Sequence, residues 1–274
     1  MLNVRPAAVA GSFYPADPVE LRAEVDDLLA NAAPAIRARA TPPPNVPKAL
    51  IVPHAGYVYS GPIAATAYAR LGPARGRVRR VVLLGPAHRV HIRGLALPEA
   101  DLFRTPLGDV PLDAEACALL SDLPRNAAAH LREHSLEVQL PFLIQVLGDF
   151  HLVPLAVGDA EPEEVAAVLD ALWGGPETLI VISSDLSHYL PYALGRRVDT
   201  ETADAILRLD LGPIDHEHAC GATPLAGLLL VARQRGLRPE MVDLESSGDT
   251  AGDRSQVVGY GAFAFYEGDR DARA

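Results

Sequence analysis

Three short apolar runs punctuate the chain: Ala49-Leu50-Ile51-Val52, Val81-Val82-Leu83-Leu84 and Leu179-Ile180-Val181-Ile182. Each is strand-length, rich in β-branched residues and followed by a turn, as expected of strands buried on both faces. Elsewhere apolar residues recur at helical spacing. Val19, Leu21, Val25, Leu28 and Leu29 predict a helix over Val19–Ala30, with Asp17-Pro18 as its start. The pattern predicts strands at 48–53, 79–84, 93–97, 151–157, 178–183, 240–245 and 256–266. It predicts helices near 61–71, 113–121, 136–147, 162–172, 197–209 and 223–235, the last stopped by Gly236. Alternation of strand and helix predicts a single α/β domain over 1–274, with a mainly parallel or mixed central sheet flanked by helices. Its core is expected over about 5–266. Asn31 to Pro47 is rich in Ala and Pro and reads as a surface connector. Residues 267–274 are polar and expected to fray.

Composition narrows the function classes. The 274 residues are 49% hydrophobic and 22% charged, with 24 basic and 35 acidic side chains giving a net charge of −11. A negative surface argues against nucleic acid, whose phosphates want Lys and Arg; apart from Arg75 to Arg80 the arginines are scattered. No apolar run approaches the ~20 residues of a membrane span. Met1-Leu2-Asn3-Val4-Arg5-Pro6 lacks the apolar core of a signal peptide. A cytoplasmic protein is expected, with both cysteines reduced. Cys117 falls within an amphipathic stretch and reads as a small buried hydrophobe. Cys220 differs, with His216, His218 and Gly221 around it.

The candidate chemistry lies where the strands end. His54 follows the first run, His88 the second, and Asp185 and His188 the third. Open α/β sheets bind ligands beyond the carboxyl ends of their strands, so these residues are expected at one edge. Pro53 fixes φ and Gly56 permits a tight turn, presenting the His54 imidazole. His91 reads as a surface residue. Ser135 reads as a helix cap and Glu137 as a first-turn acid suited to the dipole, whereas His134 has no such structural explanation. Asp185, three residues from His188, can orient that imidazole or raise its basicity. Cys220 with two imidazoles and a carboxylate gives a donor set suited to zinc, copper or iron. Two His and one anion also match a non-haem iron triad with Cys in place of the carboxylate. The separations, 34 residues from His54 to His88 and 132 from His88 to Cys220, fit no compact zinc ribbon. There is no Gly-x-Gly-x-x-Gly after a strand, no Walker Gly-Lys-Ser/Thr and no Gly-x-Ser-x-Gly elbow, which removes dinucleotide, nucleotide and serine-hydrolase readings.

Five segments in order carry a family resemblance: Ala10-Gly11-Ser12-Phe13-Tyr14-Pro15, Pro53-His54-Ala55-Gly56-Tyr57-Val58-Tyr59-Ser60-Gly61, Gly85-Pro86-Ala87-His88, Glu133-His134-Ser135-Leu136-Glu137-Val138-Gln139-Leu140-Pro141-Phe142 and Ser183-Ser184-Asp185-Leu186-Ser187-His188-Tyr189. Together they resemble the Memo family, also called AmmeMemoRadiSam system protein B. The resemblance implies a fold similar to LigB-type class III extradiol dioxygenases, which use non-haem iron(II). By motif it implies His54, His88 and Cys220 as metal ligands, with Asp185 and His188 lining the same pocket and His188 as acid/base. Iron(II) is the favoured metal, copper or zinc the alternatives. The resemblance also implies association with an AMMECR1-like protein and a radical SAM enzyme, and a small-molecule or peptide ligand in the pocket. Thr223 stands where the family usually has Gly, so the backbone after Cys220 is expected to differ. Three functions compete: a metal-dependent redox enzyme, a non-catalytic peptide- or partner-binding module, and a zinc hydrolase.

Overall fold

Strands that are apolar on both faces need helices on both sides to cover them, and the chain supplies both layers. The computed structural model describes residues 2–37 and 46–268. Its strands are β1 (Val4–Arg5), β2 (Ala49–Val52), β3 (Arg80–Pro86), β4 (Leu95–Ala96), β5 (Leu102–Thr105), β6 (Gly108–Pro111), β7 (His151–Val157), β8 (Thr178–Ser183), β9 (His188–Leu190), β10 (Arg238–Ser246) and β11 (Val257–Tyr266). Its α-helices are α1 (Pro18–Arg37), α2 (Tyr57–Tyr68), α3 (Ala114–Ala118), α4 (Ala127–Leu131), α5 (Leu140–Leu147), α6 (Pro162–Ala171), α7 (Tyr192–Arg208) and α8 (Ala222–Arg235).

The main sheet runs β10-β11-β2-β8-β3-β7-β4, with β9 added to β11. The four middle strands, β2, β8, β3 and β7, are parallel; β10, β11 and β4 are antiparallel to their neighbours. The sheet is therefore mixed, with a parallel centre. Period-two alternation divides its side chains between two cores. Leu50, Val52, Val81, Leu83 and Val181 face one core, built with α1, α2 and α5. Ile51, Val82, Leu84, Ile180 and Ile182 face the other, built with α6, α7 and α8. A separate small sheet joins β1, β5 and β6.

Register sets the position of the site. Val52 lies opposite Ser183, and Leu84 opposite Ile182. The carboxyl ends of β2, β8 and β3 are thus level, and the segments that follow them leave from one edge.

Several element bounds depart from the sequence reading. Helix α1 continues to Arg37, through the first part of the expected 31–47 connector; residues 38–45 and the terminal stretch 269–274 lie outside the described residues. Helix α2 starts at Tyr57, not near 61, because Gly61-Pro62 reads as a break but sits inside the helix. The glycine is there for contact: a Cβ on Gly61 would stand 3.0 Å from Leu28 Cδ1 of α1. Helix α7 begins at Tyr192, five residues earlier than expected, and the expected helix near 113–121 shortens to α3. The helix expected at 136–147 opens as a 3-10 turn, Glu137–Gln139, before α5. Strands β1, β5, β6 and β9 and helix α4 were not anticipated.

Candidate functional site

The loops after β2, β3 and β8 and the segment that leads into α8 line a cavity of about 1390 Å³. His54, His88, His134, Asp185, His188 and Cys220 all line it. His54 and His88 meet edge to face, ring centroids 5.1 Å apart. His134 stands beside both, 5.4 Å from the His54 ring and stacked 4.8 Å from that of His88. One ligand nitrogen from each of these three lies within 4.8 Å of the others. Cys220 Sγ is 3.3 Å from His54 Nε2.

The hydrogen bonds behind the rings fix which nitrogens are free. Ser183 Oγ donates to the Ser135 carbonyl at 2.6 Å and accepts from Gln139 Nε2 at 2.8 Å. The Gln139 amide is oriented in turn, since its oxygen accepts from Tyr68 OH and its nitrogen also donates to the Pro53 carbonyl. The remaining lone pair of Ser183 Oγ faces His54 Nδ1 at 2.9 Å, so that nitrogen carries the proton. His54 Nε2 is left bare toward Cys220. The same logic holds for His88, whose Nδ1 is 2.9 Å from Glu133 Oε1. A carboxylate only accepts, so Nδ1 donates and Nε2 is the nitrogen that Glu133 leaves unengaged.

Burial, reinforced by the neighbouring His88 and His134, holds His54 well below the usual histidine range. Burial also lowers His134. Burial alone would raise Glu133, but the His88 ring bond and charge and the Ser135 N–H bring it down to about 2. Asp185 is buried and raised above its ordinary range, burial outweighing the His54 N–H that donates to Oδ1 at 2.6 Å. Burial and the nearby Asp185 charge push the Cys220 thiol up to about 12. The Asp185 N–H points at Cys220 Sγ at 3.3 Å, and the Cys220 N–H donates back to the Asp185 carbonyl at 3.2 Å.

His54, His88, Asp185 and Cys220 thus form one contiguous cluster. His188 sits on the cavity wall, half-buried, in β9; among the described residues no hydrogen bond joins it to Asp185. The next residue, Tyr189, is 69% exposed at the rim and adopts φ 57°, strained for a side chain of that size. His91 is exposed and His216 lies on the outer cavity wall.

Three local expectations are corrected. Gly56 caps α2 at φ −57°, ψ 146°, a conformation open to any residue. Ser135 does not cap a helix; its Oγ donates to the Pro86 carbonyl. Glu137 does not serve a helix dipole. It is fully buried, pairs with Arg5 and accepts from Ala8 N–H, Val9 N–H and Tyr14 OH. Thr223 lies in the first turn of α8, a helical conformation that threonine adopts without strain. Sequence reasoning gave no ligand role to His134 or Glu133. The available signal was an imidazole without a structural explanation, adjacent to an acid.

The donor set is of a kind that suits a divalent transition metal: imidazole nitrogens not engaged by Ser183 or Glu133, a thiol and a carboxylate. A model of the family "Memo-like protein" matches residues 5–264. A MEMO1 family protein of Sulfolobus acidocaldarius is 36% identical over 278 residues, spanning 94% of this chain and 97% of its own length. One from Aquifex aeolicus is 37% identical over 273 residues, spanning 94% and 98%. One from Methanopyrus kandleri is 34% identical over 285 residues, spanning 96% and 99%.

Proposed function

The chain belongs to the Memo family, and from that premise we propose that it is a metal-binding oxidoreductase in which His54, His88 and Cys220 hold the ion and His188 and Asp185 handle protons. Iron(II) is the favoured ion, ahead of copper or zinc. The observation that carries this reading is the pair of bare Nε2 atoms on His54 and His88, with Cys220 Sγ against the first and His134 alongside both. Iron or copper held there would supply one-electron chemistry.

The protein residues have separable tasks. Ser183 and Glu133 hold the two imidazoles from behind. Cys220 keeps its proton in the absence of a cation, as its raised pKa requires, and gives it up on ligation. Asp185 holds the His54 main chain and the Cys220 loop together. His188, at the wall and partly open to solvent, can pass a proton between cavity and water. The outer cavity is walled by Tyr59, Leu194, Val198 and Val258 and, among the described residues, by no Lys or Arg. That lining suits an uncharged organic substrate better than a phosphorylated one.

Metal content tests the proposal, by mass spectrometry on protein purified anaerobically without a histidine tag. Near-stoichiometric iron or copper is expected in the native chain, and little in Cys220→Ala or the His54→Ala/His88→Ala double variant. Equal metal in native and double-variant protein would sink the model. No metal in any of them, even after anaerobic reconstitution, would leave the cavity as a binding pocket for an organic ligand.

A further inference from the structure

We infer that Glu133 is a positioning residue for the candidate metal centre: one buried carboxylate sets the ring orientation and tautomer of His88. The inference rests on the metal-binding reading for its purpose, but not for its geometry.

Glu133 lies between α4 and the 3-10 turn and is 1% exposed. Oε2 accepts the His88 main-chain N–H at 2.6 Å. Oε1 accepts the His88 ring Nδ1–H at 2.9 Å and the Ser135 N–H at 2.9 Å. His134 Nδ1 stands 3.4 Å from the same oxygen. The main-chain and ring N–H groups of His88 and the Ser135 N–H therefore converge on one side chain, and both oxygens must accept. Only an ionised carboxylate does that. An amide would present its NH₂ to a main-chain N–H at one end or to a ring N–H at the other. Gripping His88 by both main chain and ring removes two rotational freedoms at once. A ring free to turn would offer either nitrogen to the cavity; this one offers Nε2 only.

The contrast with His54 sharpens the point. Its acceptor is the neutral hydroxyl of Ser183, so the two imidazoles are backed by different chemistry. A carboxylate behind a ligating imidazole makes it the more basic donor of the two. His88 is also the more open, with 29% of its side chain exposed against full burial of His54. An exposed ring without such a brace would sample other rotamers.

The test uses the full chain, native and Glu133→Gln, free of metal and then titrated with cobalt(II). Long-range proton–nitrogen NMR on ¹⁵N-histidine protein reads the tautomers. In native protein His88 is expected as the Nδ1–H form; in Glu133→Gln the Nε2–H form should appear alongside it. Cobalt(II) affinity should fall about 10- to 100-fold, while far-UV circular dichroism stays native. A native His88 protonated on Nε2 overturns the inference without any variant, so a poorly folding Glu133→Gln does not shelter it. So does a folded variant with unchanged tautomer and affinity within about threefold. If native protein shows the Nδ1–H form but takes no cobalt(II), iron(II) or copper, the positioning role stands and the metal-binding reading fails.

Discussion

At the scale of single residues, the site is built from donors whose second faces are occupied. Ser183 exemplifies this: one hydroxyl serves His54, Gln139 and the Ser135 carbonyl, and uses every hydrogen-bonding position it has. Ser183→Ala should therefore cost twice. Metal affinity should drop about tenfold as His54 loses its tautomer lock, measured by competition titration. Stability should fall by about 1–3 kcal/mol, measured by urea unfolding, because buried polar groups lose their partner. An unchanged urea midpoint would show that the network relaxes around the gap. The sequence made the positions of His54, His88 and Asp185 legible because each follows an apolar run and the sheet fixes where such runs end. Cys220 was legible from its histidine-rich surroundings. The roles of His134, which lines the cavity, and of Glu133, buried behind His88, were not legible, because their loop's path depends on docking against β3. A hydroxyl such as Ser183 is too common a side chain to announce its role.

At the scale of elements, the ends of three parallel strands do the placing. Their four-residue apolar runs read as strands because no helix fits four consecutive buried residues between turns. The elements that the pattern missed are short or half exposed. β5 and β6 are four residues each, and β9 is three. Helix α2 was misjudged because glycine and proline inside it look like punctuation, although Gly61 is there to let α1 approach. Gly85 is the element-level counterpart, at the end of β3. A Cβ there would stand 2.7 Å from Ser135 Oγ and 3.1 Å from Leu136 Cδ2. Gly85→Ala should push the Ser135 loop away from the strand, at a cost of about 1–3 kcal/mol in urea unfolding. It should also weaken metal binding, since that loop carries both Glu133 and His134. Loss of stability with full metal affinity would mean the loop and the strand end move as one body.

At the scale of the whole molecule, the fold resists charging three of its buried histidines. Burial lowers His130 to about 4 from an ordinary 6.5, and lowers His54 and His134 as well. Between about pH 6.5 and 4 the unfolded chain binds a proton at residue 130 that the folded chain refuses. Stability is therefore full above pH 6.5 and drains away as the pH falls, by about 3 kcal/mol for His130 once pH 4 is reached. His54 and His134 act in the same direction. Asp185, raised by burial, opposes them by taking up a proton in the folded state. Urea unfolding of metal-free protein at pH 7.5 and about pH 5 should show the acid loss. His130→Gln, which can still donate to the Ala96 carbonyl that now accepts from Nε2 at 2.9 Å, should flatten the slope by about one proton. An identical slope in the variant would place the loss elsewhere. No helix among the described residues is long and apolar enough to cross a membrane.

The strand order carries a consequence for how the protein is made. β2, which delivers His54, lies between β8 and β11, and β11 is made more than 200 residues after β2. Until residues 257–266 have left the ribosome, one edge of β2 has no neighbour, and Lys48 N–H lacks its acceptor, the Phe265 carbonyl. The nascent chain thus waits with an open, apolar edge beside His54. Premature termination late in the message leaves a product prone to edge-to-edge association rather than a smaller working protein.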